Sequence, residues 1–352
     1  MKGVVVGDFL LPTQILAKVF HGDGIEAIVG DVATTDFVVK ERAEIRTVWR
    51  LLEQHGPSGV PFPADLPALA ADAEVLAVHI CPVSRALMDQ CPKLKIILSA
   101  RGGLENIDVA EATKRGIAVI HTPHHNAQAV AEYAIGLMIA ETRNIARSYH
   151  ALKQGTWREA YLNSAYIPEL SELKIGIAGY GQTGRLVARK LRAFDAEILV
   201  ADPFVPAEAI ERDGFKAVSL EELIATADII SLHVRLSPKT AGMIGHKEFT
   251  AMKPGAYLIN TARSGLIDEA ALIEALAEKK IGGAALDVFD KEPLPMDSPL
   301  LQYDGLTLTN HRAGDTRNSY WNAPNLMRAQ FLRLHAGARP QFLANPVVLE
   351  KK

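Results

Sequence analysis

The chain has 352 residues, of which 48% are hydrophobic and 22% are charged, and its formal net charge at pH 7 is −3. This length allows two domains with separate cores, and the composition is typical of a soluble enzyme. The slightly acidic balance, with no block of Lys or Arg, argues against a polyanion-binding surface, so we expect no nucleic-acid partner.

Cysteine usage and hydropathy favour a reducing, aqueous compartment. Cys81 and Cys91 fall in different predicted elements and form no disulfide framework. The first 12 residues are too short and too interrupted for a signal peptide. No apolar run approaches the roughly 18 residues of a membrane span. We therefore expect a cytoplasmic protein with no membrane partner.

Residues 1–120 alternate between strand and helix patterns. The predicted strands are 3–6, 75–79, 94–98 and 117–120, and the predicted helices are 11–20, 40–54, 84–90 and 107–115. This alternation predicts a small parallel sheet with helices on its faces. Because this half has no glycine-rich phosphate loop, we do not expect it to bind the nucleotide.

A long helical pattern runs from 126 to about 152. Its apolar residues cover an arc of the helix wide enough to bury more than one face. The pattern fits a connector between domains that is also part of a subunit interface. It fits a core helix within one domain equally well.

The stretch from 174 to 202 reads as strand, glycine turn, helix and second strand. Gly179, Gly181 and Gly184 have the spacing G-x-G-x-x-G, which is typical of a dinucleotide site. Gly179 permits a tight turn, and Gly181 lets the backbone approach a pyrophosphate. Gly184 lets the helix pack closely on the strand. The alternative is a tight turn that holds no ligand.

Asp202 bears on the choice of cofactor. It stands 18 residues after Gly184, at the tip of the second strand, where a carboxylate can accept both ribose hydroxyls. The same carboxylate would repel a 2′-phosphate, and no Arg or Lys follows within residues 203–206 to neutralise one. NAD is therefore favoured over NADP.

Four further apolar runs complete a second sheet, which we expect to have six strands and to be doubly wound. These runs are 228–233, 256–260, 282–287 and 306–309. A helix at about 316–337 that returns to the first domain would make that domain discontinuous. We expect a substrate-binding domain at 1–122, completed by 318–352, and an NAD-binding domain at 123–317.

Ligands of open α/β sheets bind at the carboxyl ends of the strands, so residues just past each predicted strand are site candidates. Among them, His311 suits proton transfer because imidazole titrates near neutrality. Glu292 could orient its ring and raise its pKa. Arg263 offers a planar fork for a carboxylate, and Gly102 and Gly103 offer backbone N–H groups. Each residue taken singly also has an ordinary structural interpretation.

Five blocks stand in one order and spacing, GYGQTG…AD, LHVRLSPKT, LINTARSGLID, AALDVFDKEP and TNHRAG, with ARGGLENID and NAQAVAEYAIGLMIAETRN upstream. Together they resemble one family, the D-isomer-specific 2-hydroxyacid dehydrogenases. The resemblance covers about residues 70–346 and implies an NAD-dependent homodimer whose active site lies in a cleft between domains. Its catalytic Arg, Glu and His would be Arg263, Glu292 and His311.

The implied architecture is α/β, with a Rossmann NAD domain inserted in a discontinuous, flavodoxin-like substrate domain, both doubly wound parallel sheets. The implied reaction transfers a hydride between nicotinamide and C2 of a small D-2-hydroxy acid or 2-keto acid. The expected cofactor-binding residues are Gly179, Tyr180, Gly181, Gln182, Thr183, Gly184, Asp202, His233, Thr261, Ala262 and Asp287. The expected substrate-binding residues are Arg101, Gly102, Gly103, Arg263 and His311.

Further interpretations concern individual residues, the kind of substrate and the alternative functions. Asp287 suits a structural hydrogen-bonding role better than that of an acid. The histidines of HTPHH (His121, His124 and His125) match no ligand spacing, so we expect no metal. Residues 79–84 lack the Arg-Ser pair of members that use 3-phosphoglycerate, so a phosphorylated substrate is not expected. We also expect no C-terminal regulatory domain. The alternatives are an NAD-sensing or scaffold protein without activity, and a formate- or phosphite-type oxidation.

Overall fold

The structure is a computed structural model that describes residues 1–39 and 42–350. The chain divides into two compact units. The first is Met1–Asn126 together with the chain from Thr316 onward, and the second is Ala127–Asp315. Each unit is built on one parallel sheet, of five strands in the first and seven in the second.

The described residues form twelve strands and fourteen α-helices. The strands are β1 (Lys2–Gly7), β2 (Asp31–Asp36), β3 (Val75–Val78), β4 (Ile96–Ser99), β5 (Ala118–Ile120), β6 (Lys174–Ala178), β7 (Glu197–Ala201), β8 (Lys216–Ala217), β9 (Ile229–Leu232), β10 (Tyr257–Asn260), β11 (Gly283–Leu286) and β12 (Leu306–Leu308). The helices are α1 (Thr13–Leu16), α2 (Arg42–His55), α3 (Leu66–Ala70), α4 (Arg85–Met88), α5 (Val109–Lys114), α6 (Ala127–Thr142), α7 (Ile145–Lys153), α8 (Gln182–Leu191), α9 (Ala207–Arg212), α10 (Leu220–Thr226), α11 (His246–Ala251), α12 (Glu269–Ala277), α13 (Arg317–Trp321) and α14 (Ala323–His335).

The first sheet has the order β2-β1-β3-β4-β5, and every pairing is parallel. Neighbouring residues of β1 and β3 face opposite cores, since side chains alternate along a strand. Met327 and Phe331 of α14 are buried in one of these cores, so the last helix packs within the first unit. The strand order reverses between β1 and β3, which makes the carboxyl ends of these two strands a topological switch point.

The second sheet has the order β12-β11-β10-β9-β6-β7-β8, also entirely parallel. Its switch point lies between β6 and β9, where the glycine turn and His233 follow the two strands. The doubly wound, parallel-sheet fold class is confirmed for both units. The expected count of six strands was wrong, because the two-residue edge strand β8 is too short to leave a pattern.

Two predicted long helices are each broken in two. The pattern at 126–152 forms α6 and α7, because Asn144 adopts a left-handed backbone with φ of 56°. The pattern at 316–337 forms α13 and α14, and Pro324 lies in the first turn of α14, where its missing N–H is tolerated. Residues 40 and 41 of the predicted helix 40–54 lie outside the described residues.

Two further predictions concern bilayers and thiols. Among residues 1–39 and 42–350, no helix combines the length and apolarity needed to cross a membrane. Cys81 and Cys91 are both buried free thiols. Burial raises the pKa of Cys91 to about 11, which keeps this thiol protonated and unreactive near neutral pH.

Candidate active site

The three glycines of the turn after β6 have different surroundings. Gly179 has φ of 94°, and a Cβ on it would lie 2.7 Å from the carbonyl oxygen of His233. A Cβ on Gly184 would lie 2.0 Å from the carbonyl oxygen of Gly179, so α8 packs on β6 as closely as glycine allows. A Cβ on Gly181 would meet nothing within 4 Å. Protein packing therefore explains Gly179 and Gly184, whereas the space beside Gly181 is open to a ligand.

Asp202 follows β7 and ties its end to the glycine turn. Its carboxylate accepts hydrogen bonds from the backbone N–H of Tyr180 at 2.6 Å and of Phe204 at 2.8 Å. A cavity of about 280 Å³ opens beside it, lined by Val205, Ile210 and Val218 and by the polar Ser219 and Glu222. An acidic group in a cavity with this mixed lining suits a ribose beside a planar base.

His233 and Thr261 lie just past β9 and β10 in the second unit. The His233 ring nitrogen Nε2 lies 2.9 Å from Ser231 Oγ, and burial lowers the pKa of His233 to about 4, so this imidazole is neutral near pH 7. Thr261 is buried, and its hydroxyl has no partner among the described residues. Asn260 accepts from the N–H of Ala262 and donates to the carbonyl of Arg263, which fixes the turn. The orphaned hydroxyl is a donor that a ligand could satisfy.

His311 and Glu292 form a hydrogen-bonded pair. His311 Nδ1 lies 2.8 Å from Glu292 Oε2, and the other carboxylate oxygen of Glu292 accepts from the N–H of Phe289 at 3.0 Å. The hydrogen bond with Glu292 raises the pKa of His311 against the opposing effect of burial. Burial raises the pKa of Glu292, but the hydrogen bonds from His311 and Phe289 outweigh it and lower this pKa overall. The pair thus favours an imidazolium beside an ionised carboxylate.

The backbone that carries His311 is held by Asp287. His311 has φ of 56°, in the left-handed region that is unfavourable for a residue with a side chain. The fully buried carboxylate of Asp287 accepts from the Thr309 hydroxyl at 2.6 Å and from the N–H groups of Arg312 at 2.9 Å and Ala313 at 2.8 Å. These three bonds flank His311 and stabilise its conformation. Asp287 therefore has the geometry of a structural hydrogen-bond acceptor.

Arg263 lies in the same unit as His311 and Glu292, but its described side-chain hydrogen bond goes to neither of them. Its Nη1 donates to the carbonyl of Ala262 at 2.7 Å, and its side chain is exposed. Its positive charge adds a small lowering to the pKa of both Glu292 and His311. The second unit thus brings together the guanidinium, carboxylate and imidazole that strand ends selected in the sequence.

Comparison with known proteins identifies the family. The sequence profile of the "D-isomer specific 2-hydroxyacid dehydrogenase, NAD binding domain" matches residues 135–313, about half of the chain. A glyoxylate reductase of Thermofilum pendens is 37% identical over 278 residues, which cover 76% of this chain and 80% of that protein. The chain belongs to the D-isomer specific 2-hydroxyacid dehydrogenases. NAD is its cofactor, in agreement with the prediction from Asp202.

Two other relatives differ from this chain in length or in sequence. A D-3-phosphoglycerate dehydrogenase of Methanocaldococcus jannaschii is 39% identical over 276 residues, which cover 78% of this chain and 52% of that protein. The chain spans about half the length of the phosphoglycerate dehydrogenases it matches. The crystal structure of the TT0316 protein from Thermus thermophilus superposes with a TM-score of 0.69 at 27% identity, covering 97% of this chain and 99% of the other.

In the first unit of this family member, the expected substrate-binding residues lie after β4. Arg101 donates to Glu105 at 3.3 Å, and its guanidinium carbon lies 5.7 Å from the ring centroid of Trp49. His121 Nδ1 lies 2.9 Å from the carbonyl oxygen of Gly102, so it orients the Gly102–Gly103 turn. Neither Gly102 nor Gly103 donates its N–H to another group among residues 1–39 and 42–350. These N–H groups stay available to an anion.

Sequence reasoning missed a second carboxylate–imidazole pair. Asp8 follows β1 and His79 follows β3, and Asp8 Oδ2 lies 2.8 Å from His79 Nδ1. Burial raises the pKa of Asp8, but the neighbouring His79 outweighs it and lowers this pKa overall. The strand-end rule applied to the first sheet would have selected both residues. Asn260 was missed although it ends a predicted strand, since nothing in the sequence marks an asparagine as a turn-holding residue.

Proposed function

We propose that the chain is an NAD-dependent oxidoreductase that interconverts a small D-2-hydroxy acid and its 2-keto acid, with His311 as the acid/base. NAD, when bound, supplies the hydride acceptor for oxidation, and NADH the hydride donor for reduction. The observation that carries the proposal is the His311–Glu292 pair at 2.8 Å. A carboxylate only accepts, so Nδ1 of His311 carries the proton donated to Glu292, and Nε2 stays free to exchange a proton with substrate.

The roles follow from the charges. In oxidation, neutral His311 takes the hydroxyl proton at Nε2, and ionised Glu292 stabilises the imidazolium that forms. In reduction, imidazolium returns that proton to the carbonyl oxygen. The exposed fork of Arg263 binds the substrate carboxylate and polarises the carbonyl. In this proposal Arg101, Gly102 and Gly103 also contribute to substrate binding.

The residues that would hold NAD are the glycine turn 179–184, Asp202, His233, Thr261 and Ala262. Asp287, also expected among them, is fully buried and engaged by three protein donors, so it would act only through the backbone around His311. The open space at Gly181, the orphaned Thr261 hydroxyl and the cavity beside Asp202 support this set. Tyr180, Gln182 and Thr183 stand in the turn between the glycines and at the start of α8, where backbone N–H groups can bind a pyrophosphate.

The decisive test is His311→Ala. Removing an acid/base group typically lowers kcat by about 10²- to 10⁴-fold, while NADH affinity should stay within about twofold because the glycine turn is intact. Turnover is followed as NADH oxidation over a panel of 2-keto acids, and NADH affinity by calorimetry. Undiminished turnover in the variant would remove His311 from the mechanism. A wild-type protein that binds NADH but reduces no acid would favour the alternative, an NAD-sensing protein.

We also propose that the chain is a homodimer through its second unit. Ile145, Tyr149 and Leu152 lie on one face of α7 at helical spacing, and all three side chains are exposed. Trp157, further along the chain, is exposed as well. Exposed apolar surface of this kind is typical of a protein interface. Sedimentation should give twice the 38.2 kDa chain mass, and a monomer at micromolar concentration would contradict the proposal.

A further inference from the structure

A buried ion pair lies in the second unit, apart from the residues assigned to the reaction. Glu141, near the end of α6, accepts from Nη2 of Arg147 in α7 at 2.5 Å. The Glu141 and Arg147 side chains are 0% and 8% exposed. The other carboxylate oxygen of Glu141 accepts from the hydroxyl of Thr307 in β12 at 2.5 Å. Both oxygens of this carboxylate are therefore engaged inside the protein, and one of them holds the strand that leads to His311.

The pair holds β12 at two points. Arg147 Nε donates to the backbone carbonyl of Asp304, two residues before the strand begins, and Glu141 holds Thr307 in its middle. The neighbouring strand β11 provides the space, because a Cβ on Gly283 would lie 2.3 Å from Glu141 Oε1. A glycine at this position of β11 therefore leaves room for a carboxylate that reaches β12.

The strand β12 depends on such support because it is a short edge strand. It has three residues, and its one neighbour in the described sheet is β11. The pairs that fix its register are Ala284–Leu306, Ala285–Thr307 and Leu286–Leu308. His311 follows β12, whereas its partner Glu292 follows β11. The 2.8 Å distance between these two side chains therefore depends on how one strand is placed on the other.

The cost of a buried charge argues against a purely stabilising role for the pair. Burial raises the pKa of Glu141, although Arg147 and Thr307 both oppose this, so the folded protein keeps the carboxylate charged at a cost in free energy. Apolar side chains of similar volume in place of a buried ion pair are often neutral or stabilising. What the polar groups add is geometry, because an apolar contact tolerates a small shift that directional hydrogen bonds do not.

We propose that Glu141, Arg147 and Thr307 are positioning residues that fix β12 on β11 and thereby hold the imidazole of His311 against its carboxylate partner. The inference rests on the proposed function, in which His311 is the acid/base. Asp287 holds the chain after β12, and the three positioning residues hold its start and its middle. Their effect on the reaction passes through the strand.

Two substitutions at Thr307 test the proposal. Thr307→Val keeps the shape of the side chain and removes the hydroxyl, whereas Thr307→Ser keeps the hydroxyl. Thr307→Val should lower kcat for reduction of a 2-keto acid by about 10- to 100-fold, as expected when a catalytic group moves by about 1 Å. KM for NADH should stay within about twofold, because the glycine turn is unchanged. Thr307→Ser should keep kcat within about threefold of the wild type, since its hydroxyl can donate the same bond.

The pH profile reports whether His311 has moved. The hydrogen bond with Glu292 raises the pKa of His311 most, the charge of Asp287 adds to this effect, and burial and the charge of Arg263 oppose it. A displaced imidazole loses the hydrogen bond, so its pKa falls. The alkaline limb of the kcat/KM profile for reduction should therefore move to lower pH in Thr307→Val and stay in place in Thr307→Ser.

Two further variants separate positioning from stability. Thr142→Val removes a hydroxyl that is also buried but donates within α6, to the Met138 carbonyl at 2.8 Å, so it should change neither kcat nor the pH profile. The triple variant Glu141→Met, Arg147→Met and Thr307→Val replaces the cluster by apolar groups. Its free energy of unfolding in urea should stay within about 2 kcal/mol of the wild type, while kcat stays low. If the triple variant does not fold, the valine and serine variants of Thr307 decide alone.

Three outcomes would overturn the proposal. One is an unchanged kcat and an unmoved limb in Thr307→Val, and another is a serine variant as slow as the valine variant. The third is a triple variant that keeps kcat but is destabilised by more than about 3 kcal/mol, since the cluster would then serve stability alone. Failure of the proposed function would show separately, as full turnover in His311→Ala. Nuclear magnetic resonance titration of His311 then decides: a lower pKa in Thr307→Val than in Thr307→Ser keeps the proposal, and equal values remove it.

Discussion

The three glycines of the turn allow cofactor binding and folding to be separated by single methyl groups. Gly181→Ala adds a Cβ that meets no protein atom within 4 Å, at a backbone φ of −73° that alanine adopts freely. Gly184→Ala adds a Cβ 2.0 Å from the carbonyl oxygen of Gly179. The first methyl occupies space left for a ligand, whereas the second forces α8 away from β6.

The magnitudes follow from these contacts. For Gly181→Ala, the lower entropy of the unfolded chain stabilises by about 0.4–1 kcal/mol, and the poorer N-cap of alanine offsets a similar amount. The free energy of unfolding should thus change by less than about 1 kcal/mol. NADH affinity should fall by about 10- to 100-fold, because the pyrophosphate loses its close approach to the backbone. Gly184→Ala overpacks a backbone contact and should destabilise by about 1–3 kcal/mol or more.

Urea unfolding and calorimetric titration with NADH measure the two quantities on the same variants. Gly136→Ala in α6 is the matched control, since its Cβ also meets nothing within 4 Å and it lies outside the site. That variant should bind NADH as the wild type does and gain up to about 1 kcal/mol, as glycine is unfavourable within a helix. Unchanged NADH affinity in Gly181→Ala would refute the assignment of this space to the cofactor.

Two further predictions concern the catalytic pair and its support. In the proposed mechanism, reduction needs protonated His311, so activity is lost as pH rises through the pKa of His311, which Glu292 raises. Glu292→Gln should therefore move the alkaline limb of the kcat/KM profile for reduction to lower pH. An unmoved limb would contradict the pairing. Asp287→Ala removes the acceptor of three buried hydrogen bonds and should lower the free energy of unfolding by about 3 kcal/mol in urea titrations. The variant should also lose kcat, because the backbone of His311 is no longer held. A change in the free energy of unfolding below about 1 kcal/mol would show that other groups replace these bonds.

The fold class could be predicted because both sheets are parallel and buried on both faces. Strands such as β6 and β9 then read as short apolar runs between helical patterns, and the glycine turn marks where the second sheet begins. The strand β2 was missed because it is an edge strand whose sequence, DVATTD, is partly exposed and mostly polar. The break at Asn144 was missed since a left-handed backbone at one asparagine leaves the helical spacing on either side unchanged.

The chemistry of the site was predictable to the extent that it depends on strand ends. His311 and Glu292 follow different strands, and the rule that ligands bind at carboxyl ends selected both before any distance was known. The positions of Arg101 and Trp49 relative to each other were not predictable. Trp49 lies on α2, about 50 residues before Arg101, and no local pattern relates a helix face to a turn at that separation.

Exposure separates the two carboxylate–imidazole pairs, which have the same 2.8 Å geometry. The His311 and Glu292 side chains are 53% and 36% exposed, whereas His79 and Asp8 are 3% and 0% exposed. An acid/base group must reach the reacting atoms, and its charge must change at little cost, which partial exposure to solvent allows. The buried pair instead ties β1 to β3, since Asp8 also accepts from the N–H groups of Leu10, Leu11 and Ile80. The difference in exposure supports His311, rather than His79, as the proposed acid/base, and the His79–Asp8 pair stabilises the edge of the first sheet.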